Sequence, residues 1–112
     1  MQLKKMNCIS QRAENGRVAI DILTESMPGT FDMVLMDLRM PVMDGLEATK
    51  LIRGELGMKD LPVIALTGEM SADIRSECDE IGFDEFHQKP LKKEMMEKII
   101  KKYKSLRDGF EL

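Results

Sequence analysis

Phe31-Asp32-Met33-Val34-Leu35-Met36-Asp37-Leu38-Arg39-Met40-Pro41-Val42-Met43-Asp44-Gly45 is the stretch whose reading decides the fold. Residues 33–36 form a nearly continuous apolar run, the pattern of a strand buried on both faces. The run ends in one carboxylate, Asp37. A turn with Pro41 follows, and a helical pattern begins at Gly45. Open α/β sheets bind their ligands at the carboxyl ends of the strands, so Asp37 stands where such sheets do chemistry. Two later apolar runs also end in polar groups, at Leu66-Thr67-Gly68 and at Gln88-Lys89-Pro90. An acid, a hydroxyl and an amine at successive strand ends make a site for a phosphoryl group.

Outward from that stretch, strand and helix patterns alternate, which is the signature of a parallel α/β sheet. Residues 2–6 read as the end of a helix. Residues 9–13 are a weak strand candidate closed by Glu14-Asn15-Gly16. Residues 17–26 place Val18, Ile22 and Leu23 at helical spacing, with Pro28-Gly29 as the stop. A helix is expected over 45–56, with Leu46, Thr49, Ile52 and Arg53 in amphipathic order and Gly57 closing it. Residues 62–66 are the next strand. Ser71 is a good N-cap for a helix to about Ile81, with Gly82 at its end. Residues 83–88 are the last strand. Pro90 opens a final helix to about Tyr103, with Met95, Met96, Ile99 and Ile100 facing inward. Residues 105–112 read as a frayed tail, so the chain is expected to be one domain with its core over about 7–104.

Composition narrows the class. The 112 residues suffice for one core. The net charge of −3 gives no electrostatic case for direct nucleic-acid binding. No apolar run is long enough for a bilayer, and no signal peptide is visible at the N-terminus, so a cytoplasmic chain or module is expected. The two cysteines, Cys8 and Cys78, lack metal-type spacing and read as ordinary thiols. The methionines around Asp37 read as gap-filling core residues. The lysine-rich last helix, from Lys92 to Lys104, reads as a solvated face of mixed charge, with an acidic partner as the alternative.

The ordered combination of Asp37, Thr67 and Lys89, with Arg39-Met40-Pro41-Val42-Met43-Asp44-Gly45, resembles the receiver domain of two-component response regulators and hybrid histidine kinases. The likeness covers roughly residues 7 to 104. It implies a flavodoxin-like, three-layer fold with a parallel sheet in the order 2-1-3-4-5. Aligned on the motifs, the chain begins near the end of the family's first helix, so four strands are expected and the first strand is not among them. That strand is central in the family. The edge it would cover, beside residues 33–36, could be filled by residues 9–13 or by strand exchange with a second copy; otherwise the fold would be unstable alone.

The resemblance also implies roles. Asp37 would be the phosphoacceptor, taking a phosphoryl group from phosphohistidine. Lys89 would supply fixed positive charge, and Thr67 a hydrogen bond to a phosphoryl oxygen, with Gly68 leaving room for it. Thr67 and Phe86 would be the switch pair. Mg²⁺ in receivers is held by an acidic pair after the first strand, by the phosphoacceptor and by a backbone carbonyl. The last two map to Asp37 and the Arg39 carbonyl. The acidic pair has no counterpart; Glu14 reads as a turn residue. Weak or absent Mg²⁺ binding and impaired phosphorylation are therefore expected. His87, the sole histidine, reads as a surface residue at a strand end. The partner would be a histidine kinase or a histidine phosphotransfer domain, with no ordinary turnover activity. The competing reading is a phosphate-independent interaction module, or a truncated or engineered receiver fragment.

Overall fold

In a computed structural model the described residues are 11–27 and 29–111, with side chains as far as Tyr103. They form four helices and three strands: α1 (Gly16–Glu25), β1 (Val34–Asp37), α2 (Gly45–Arg53), β2 (Val63–Thr67), α3 (Ala72–Ile81), β3 (Glu85–Gln88) and α4 (Lys93–Glu111). The sheet order is β1-β2-β3, and both pairings are parallel. Register sets Asp37 beside Leu66 and Thr67 beside Gln88, so the three strands end together.

Strand alternation sorts the core into two faces. Val63 and Ala65 of β2 turn to one side. There, Val63 joins Ile20 and Leu23 of α1, Met36 of β1 and Ala48 and Ile52 of α2. Ala65 joins Leu38 and Cys78 of α3. Ile64 turns to the opposite side and packs on Ile99 and Tyr103 of α4, flanked by Met33, Leu35 and Leu66. Helices thus cover both faces of a parallel sheet, the three-layer arrangement expected of it.

Local chemistry starts and stops these helices. The Asn15 side chain accepts from Val18 N–H at 3.0 Å and caps α1, so the expected Glu14-Asn15-Gly16 turn is a helix N-cap. Asp44 caps α2 by accepting from Glu47 N–H at 2.9 Å, and Ser71 caps α3 by accepting from Ile74 N–H at 3.2 Å. Gly82 ends α3 in the left-handed region, φ 107°, where glycine carries no Cβ penalty. A Cβ on Gly45 would strike the Asp37 carbonyl and the Met36 side chain, so glycine lets α2 start directly against the end of β1.

Several expected boundaries are corrected. Gln11, Arg12 and Ala13 are not a strand, and residues 9 and 10 lie outside the described residues, as does the helical scrap at 2–6. The described sheet therefore has three strands rather than four. Helix α2 ends at Gly54, before Gly57, because the chain turns to bring Leu61 and Pro62 to the start of β2. Helix α4 begins at Lys93, three residues after Pro90, and runs through the expected tail to Glu111. Only Gly109 disfavours helix in that stretch, by about 1 kcal/mol. Its buried stripe is Met96, Ile99, Ile100 and Tyr103, while Met95 is exposed. The stripe repeats at i, i+3, i+4 and i+7, which puts Tyr103 in and Met95 out.

Candidate functional site

Strand β1 delivers Asp37 to the carboxyl end of the sheet with its side chain 33% exposed. The Lys89 ammonium donates to Asp37 Oδ2 at 2.6 Å. The backbone N–H of Arg39 donates to Asp37 Oδ1 at 3.0 Å. Both carboxylate oxygens thus have a donor. Lys89 comes from the residue after β3, where its own N–H donates to the Thr67 carbonyl at 2.7 Å and continues the strand ladder. Its side chain is 45% exposed. The acid and the amine are 52 residues apart in sequence and meet only because β1 and β3 flank β2 and end at one level.

Thr67 is buried at the end of β2, but its hydroxyl serves its own loop. It accepts from Glu69 N–H at 3.1 Å and lies 3.3 Å from the Glu69 carbonyl. A Cβ on Gly68 would meet nothing within 4 Å, so the space in front of this loop is open. The Arg39 guanidinium reaches Glu69 Oε2 at 2.7 Å and ties the β1 and β2 loops together across the surface. Phe86 sits one layer down, on the α3 side of β3, against the Leu38–Ala65–Cys78 cluster. The Arg75 guanidinium lies 5.9 Å from its ring centroid.

Val42 is the conformational outlier of the site. Its φ is 68°, it is 82% exposed, and Met43 N–H donates across it to the Pro41 carbonyl at 2.7 Å. A β-branched residue in a tight three-residue turn of this sense is strained.

The family model for the response regulator receiver domain matches residues 1–101. The chain belongs to that family. It is 39% identical over 103 residues to hybrid signal transduction histidine kinase M of Dictyostelium discoideum, covering 89% of this chain and 4% of that protein. It is 39% identical over 97 residues to the two-component response regulator ORR41 of Oryza sativa subsp. japonica, covering 86% of this chain and 73% of the other. Among solved structures, chemotaxis protein CheY4 of Vibrio cholerae superposes with a TM-score of 0.80 at 27% identity, over 91% of this chain and 82% of that one. The receiver domain of sensor histidine kinase PA1611 from Pseudomonas aeruginosa PAO1 gives 0.79 at 27% identity, over 91% and 81% of the two chains, and holds a magnesium ion in its active-site cleft.

Among the described residues, the donors at the end of the sheet fit Mg²⁺ poorly. Mg²⁺ takes six oxygens in near-octahedral geometry, commonly with one or two carboxylates. The chain residues expected to serve are the Asp37 carboxylate and the Arg39 carbonyl, and Asp37 already accepts from Lys89 and Arg39. Among the described residues no three His, Cys, Asp or Glu side chains gather in a metal-binding group. Glu14 is exposed, in a bend before α1.

A second polar cluster of this receiver lies on the α4 side of β3. The Glu85 carboxylate is 18% exposed. It accepts from Tyr103 Oη at 2.6 Å and Lys102 Nζ at 3.0 Å, and meets His87 Nε2 at 2.8 Å. Burial pushes its pKa up, but the hydrogen bonds from Tyr103, His87 and Lys102, with the Lys102 charge, outweigh burial and hold it at about 2. Burial, the bond to Glu85 and the charges of Glu85 and Asp84 push the Tyr103 phenol up. His87, expected at the surface, is a half-buried partner of this carboxylate. Sequence reading missed the cluster because Tyr103 and Glu85 are 18 residues apart. The usable signal was a Tyr at the buried phase of α4 opposite an acid on a strand, since a buried phenol needs a partner.

Proposed function

We propose that this receiver accepts a phosphoryl group on Asp37 from phosphohistidine and that the change alters partner binding. The observation that supports the reading is the 2.6 Å contact between Lys89 Nζ and Asp37 Oδ2 at the common end of three parallel strands. An Asp37 oxygen attacks phosphorus, the P–O bond forms, the P–N bond breaks, and its electron pair returns to the imidazole. An anion attacking an anion needs fixed positive charge nearby. Two unit charges 4 Å apart repel by about 4 kcal/mol at an effective dielectric of 20. Lys89 offsets that repulsion, because its ammonium already sits on the nucleophile. Thr67 would leave Glu69 to donate to a phosphoryl oxygen, moving together with Phe86 in the switch. The partner would be a histidine kinase or histidine phosphotransfer domain, and the setting the cytoplasm. The relay would run without ordinary turnover.

The reaction is expected to be impaired. Among the described residues, Asp37 and the Arg39 carbonyl offer Mg²⁺ two oxygens. That same shortage favours a second reading, a docking module that works without phosphate. Incubation of the chain with acetyl phosphate, with and without Mg²⁺, separates the two when read by intact mass with Asp37→Asn as control. A slow gain of one phosphoryl group, lost in the variant and only weakly raised by Mg²⁺, is the expected result. No gain in a folded sample would remove the phosphoacceptor role and leave the docking module.

A further inference from the structure

Arg75 is the single basic residue of α3, which also carries the acids Asp73, Glu77, Asp79 and Glu80. Asp79 stands one turn further on, at the i+4 spacing where ion pairs form on helices. Among the described residues, however, no carboxylate lies within ion-pair distance of Arg75. The guanidinium lies instead 5.9 Å from the centre of the Phe86 ring, inside the roughly 6 Å over which a cation is drawn to an aromatic face. Phe86 is half-buried against Leu38, Ala65 and Cys78, and Arg75 is exposed. The cation therefore stands between the ring and solvent.

The same helix is tied to the loop that occupies Thr67. Register sets Phe86 beside Ala65, two residues before Thr67 on β2. Side chains two apart on a strand share a face, so Thr67 and Phe86 both lie on the α3 side of the sheet. The Thr67 hydroxyl accepts from Glu69 N–H at 3.1 Å. Two residues on, Ser71 caps α3 by accepting from Ile74 N–H, and the Ser71 carbonyl accepts from Arg75 N–H at 3.0 Å. A short stretch of chain, braced by hydrogen bonds at both ends, thus joins the Thr67 hydroxyl to the helical turn that carries Arg75.

We propose that Arg75 is a positioning residue that holds the Phe86 ring in its resting place and is drawn off it when Thr67 leaves its loop. The inference rests on the switch role proposed above for Thr67 and Phe86. Thr67 reaches a phosphoryl oxygen only by giving up the Glu69 N–H. The loop then loses that hold, and the first turn of α3 moves with it because Ser71 belongs to both. Arg75 hangs from that turn, so its guanidinium shifts against a ring anchored on a different strand. A cation over a ring at an exposed site is a weak contact, which suits a latch that has to open. Arginine suits the place better than lysine. Its planar, weakly hydrated guanidinium stacks on a ring, whereas an ammonium keeps its water. Balance of charge on α3 is a poorer account, since any cation at position 75 would supply it, and a guanidinium serving the acids would lie on Asp79.

The test uses the full 112-residue chain with isotope-labelled phenylalanine rings read by NMR, the Phe86 signal being the one lost in Phe86→Leu. In the unphosphorylated chain, Arg75→Gln should move the Phe86 ring signal and speed its ring flipping, with an unchanged melting temperature. The same variant should take up phosphoryl groups from acetyl phosphate about two- to fivefold faster, as expected when a contact of this strength no longer has to be broken. Arg75→Lys, which keeps the charge and loses the flat stack, should fall closer to Arg75→Gln than to the native chain in both readouts. An unmoved Phe86 signal in Arg75→Gln would overturn the proposal. Full restoration by Arg75→Lys would also overturn it and make Arg75 a counter-charge for the acids of α3. A moved signal with unchanged or slower uptake would overturn the link to the switch. Absence of phosphoryl gain in the native chain would sink the phosphoacceptor reading and the switch built on it, while a Phe86 signal that still moves in Arg75→Gln would uphold the hold on the ring.

Discussion

The two ends of the sheet are built on opposite plans. At the amino ends of the strands, the Arg53 guanidinium donates to the carbonyls of Gly82, Met58 and Leu61 at 2.9, 2.7 and 2.7 Å, and to Asp84 Oδ2 at 2.9 Å. Asp84 Oδ2 also accepts from Val63 N–H at 2.8 Å, at the first residue of β2. The Arg53 side chain is 14% exposed. At the carboxyl ends, Lys89 makes one ion pair and stays nearly half exposed, and Arg39 and Glu69 pair across open surface. One cation is consumed in holding loops. The other keeps part of its ammonium open to solvent. The contrast teaches that a charge is structural when its geometry is saturated, and that the proposed phosphoryl chemistry would need the cation whose donors are left over.

Removal of the structural cation should have the largest effect. Arg53→Ala leaves three carbonyls and Asp84 without their donor and is expected to cost about 3 kcal/mol, discounted for the partial exposure of Asp84. The melting temperature should fall by more than about 10 °C, and calorimetry checks it. A loss under 1 kcal/mol would mean that water replaces the guanidinium and that the closed end is not closed.

Acid should act next, through Glu85. Its folded pKa is held at about 2, below the ordinary carboxylate value. The stability it contributes is therefore present above about pH 4.5 and lost as pH falls toward 2. The size is on the order of 3 kcal/mol from a shift of that size. Urea denaturation at pH 7 and pH 3 should show about 2 kcal/mol of this loss in the native chain, since pH 3 still lies above the folded pKa, and much less of it in Glu85→Gln. Equal acid sensitivity in both would assign the loss to other carboxylates.

Val42→Gly should stabilise the open end. Relief of the positive φ is worth about 1–2 kcal/mol, and glycine returns about 0.5–1 kcal/mol of that in entropy. A gain of about 0.5–1 kcal/mol is expected, with slower labelling of Asp37 if the strained turn helps to present it. Smallest in stability is Lys89→Met, expected to change the unfolding free energy by less than about 1 kcal/mol, as exposed ion pairs do. The same variant should sharply slow phosphoryl uptake. Paired with Arg53→Ala, it gives the sharpest form of the comparison: one substitution lowers stability, the other activity.

Sequence reading points to the residues that meet at the open end and passes over those of the closed one, for a physical reason. Asp37, Thr67 and Lys89 each follow an apolar run, so position and chemistry coincide and all three can be read along the chain. Arg53 sits in amphipathic order on α2 and looks like any solvated helix residue, because three of its partners are backbone carbonyls and the fourth is 31 residues away. The last helix is legible with Met96, Ile99 and Ile100 inside, but the expected inner face includes Met95, which is exposed, and leaves out Tyr103, which is buried.

Cys78 gives the molecule a clock. Its thiol is buried at the junction of Leu38, Ala65 and α3, and burial, with the charges of Glu77 and Asp79, raises its pKa. Reagents reach the thiolate, so both factors slow its reaction in the closed state. With Cys8 replaced by Ser, and with enough disulfide reagent to trap each opening before it recloses, the rate of Cys78 modification becomes the frequency at which α3 lifts from β1 and β2. Any event at Asp37 that loosens that helix would then be timed without adding a label.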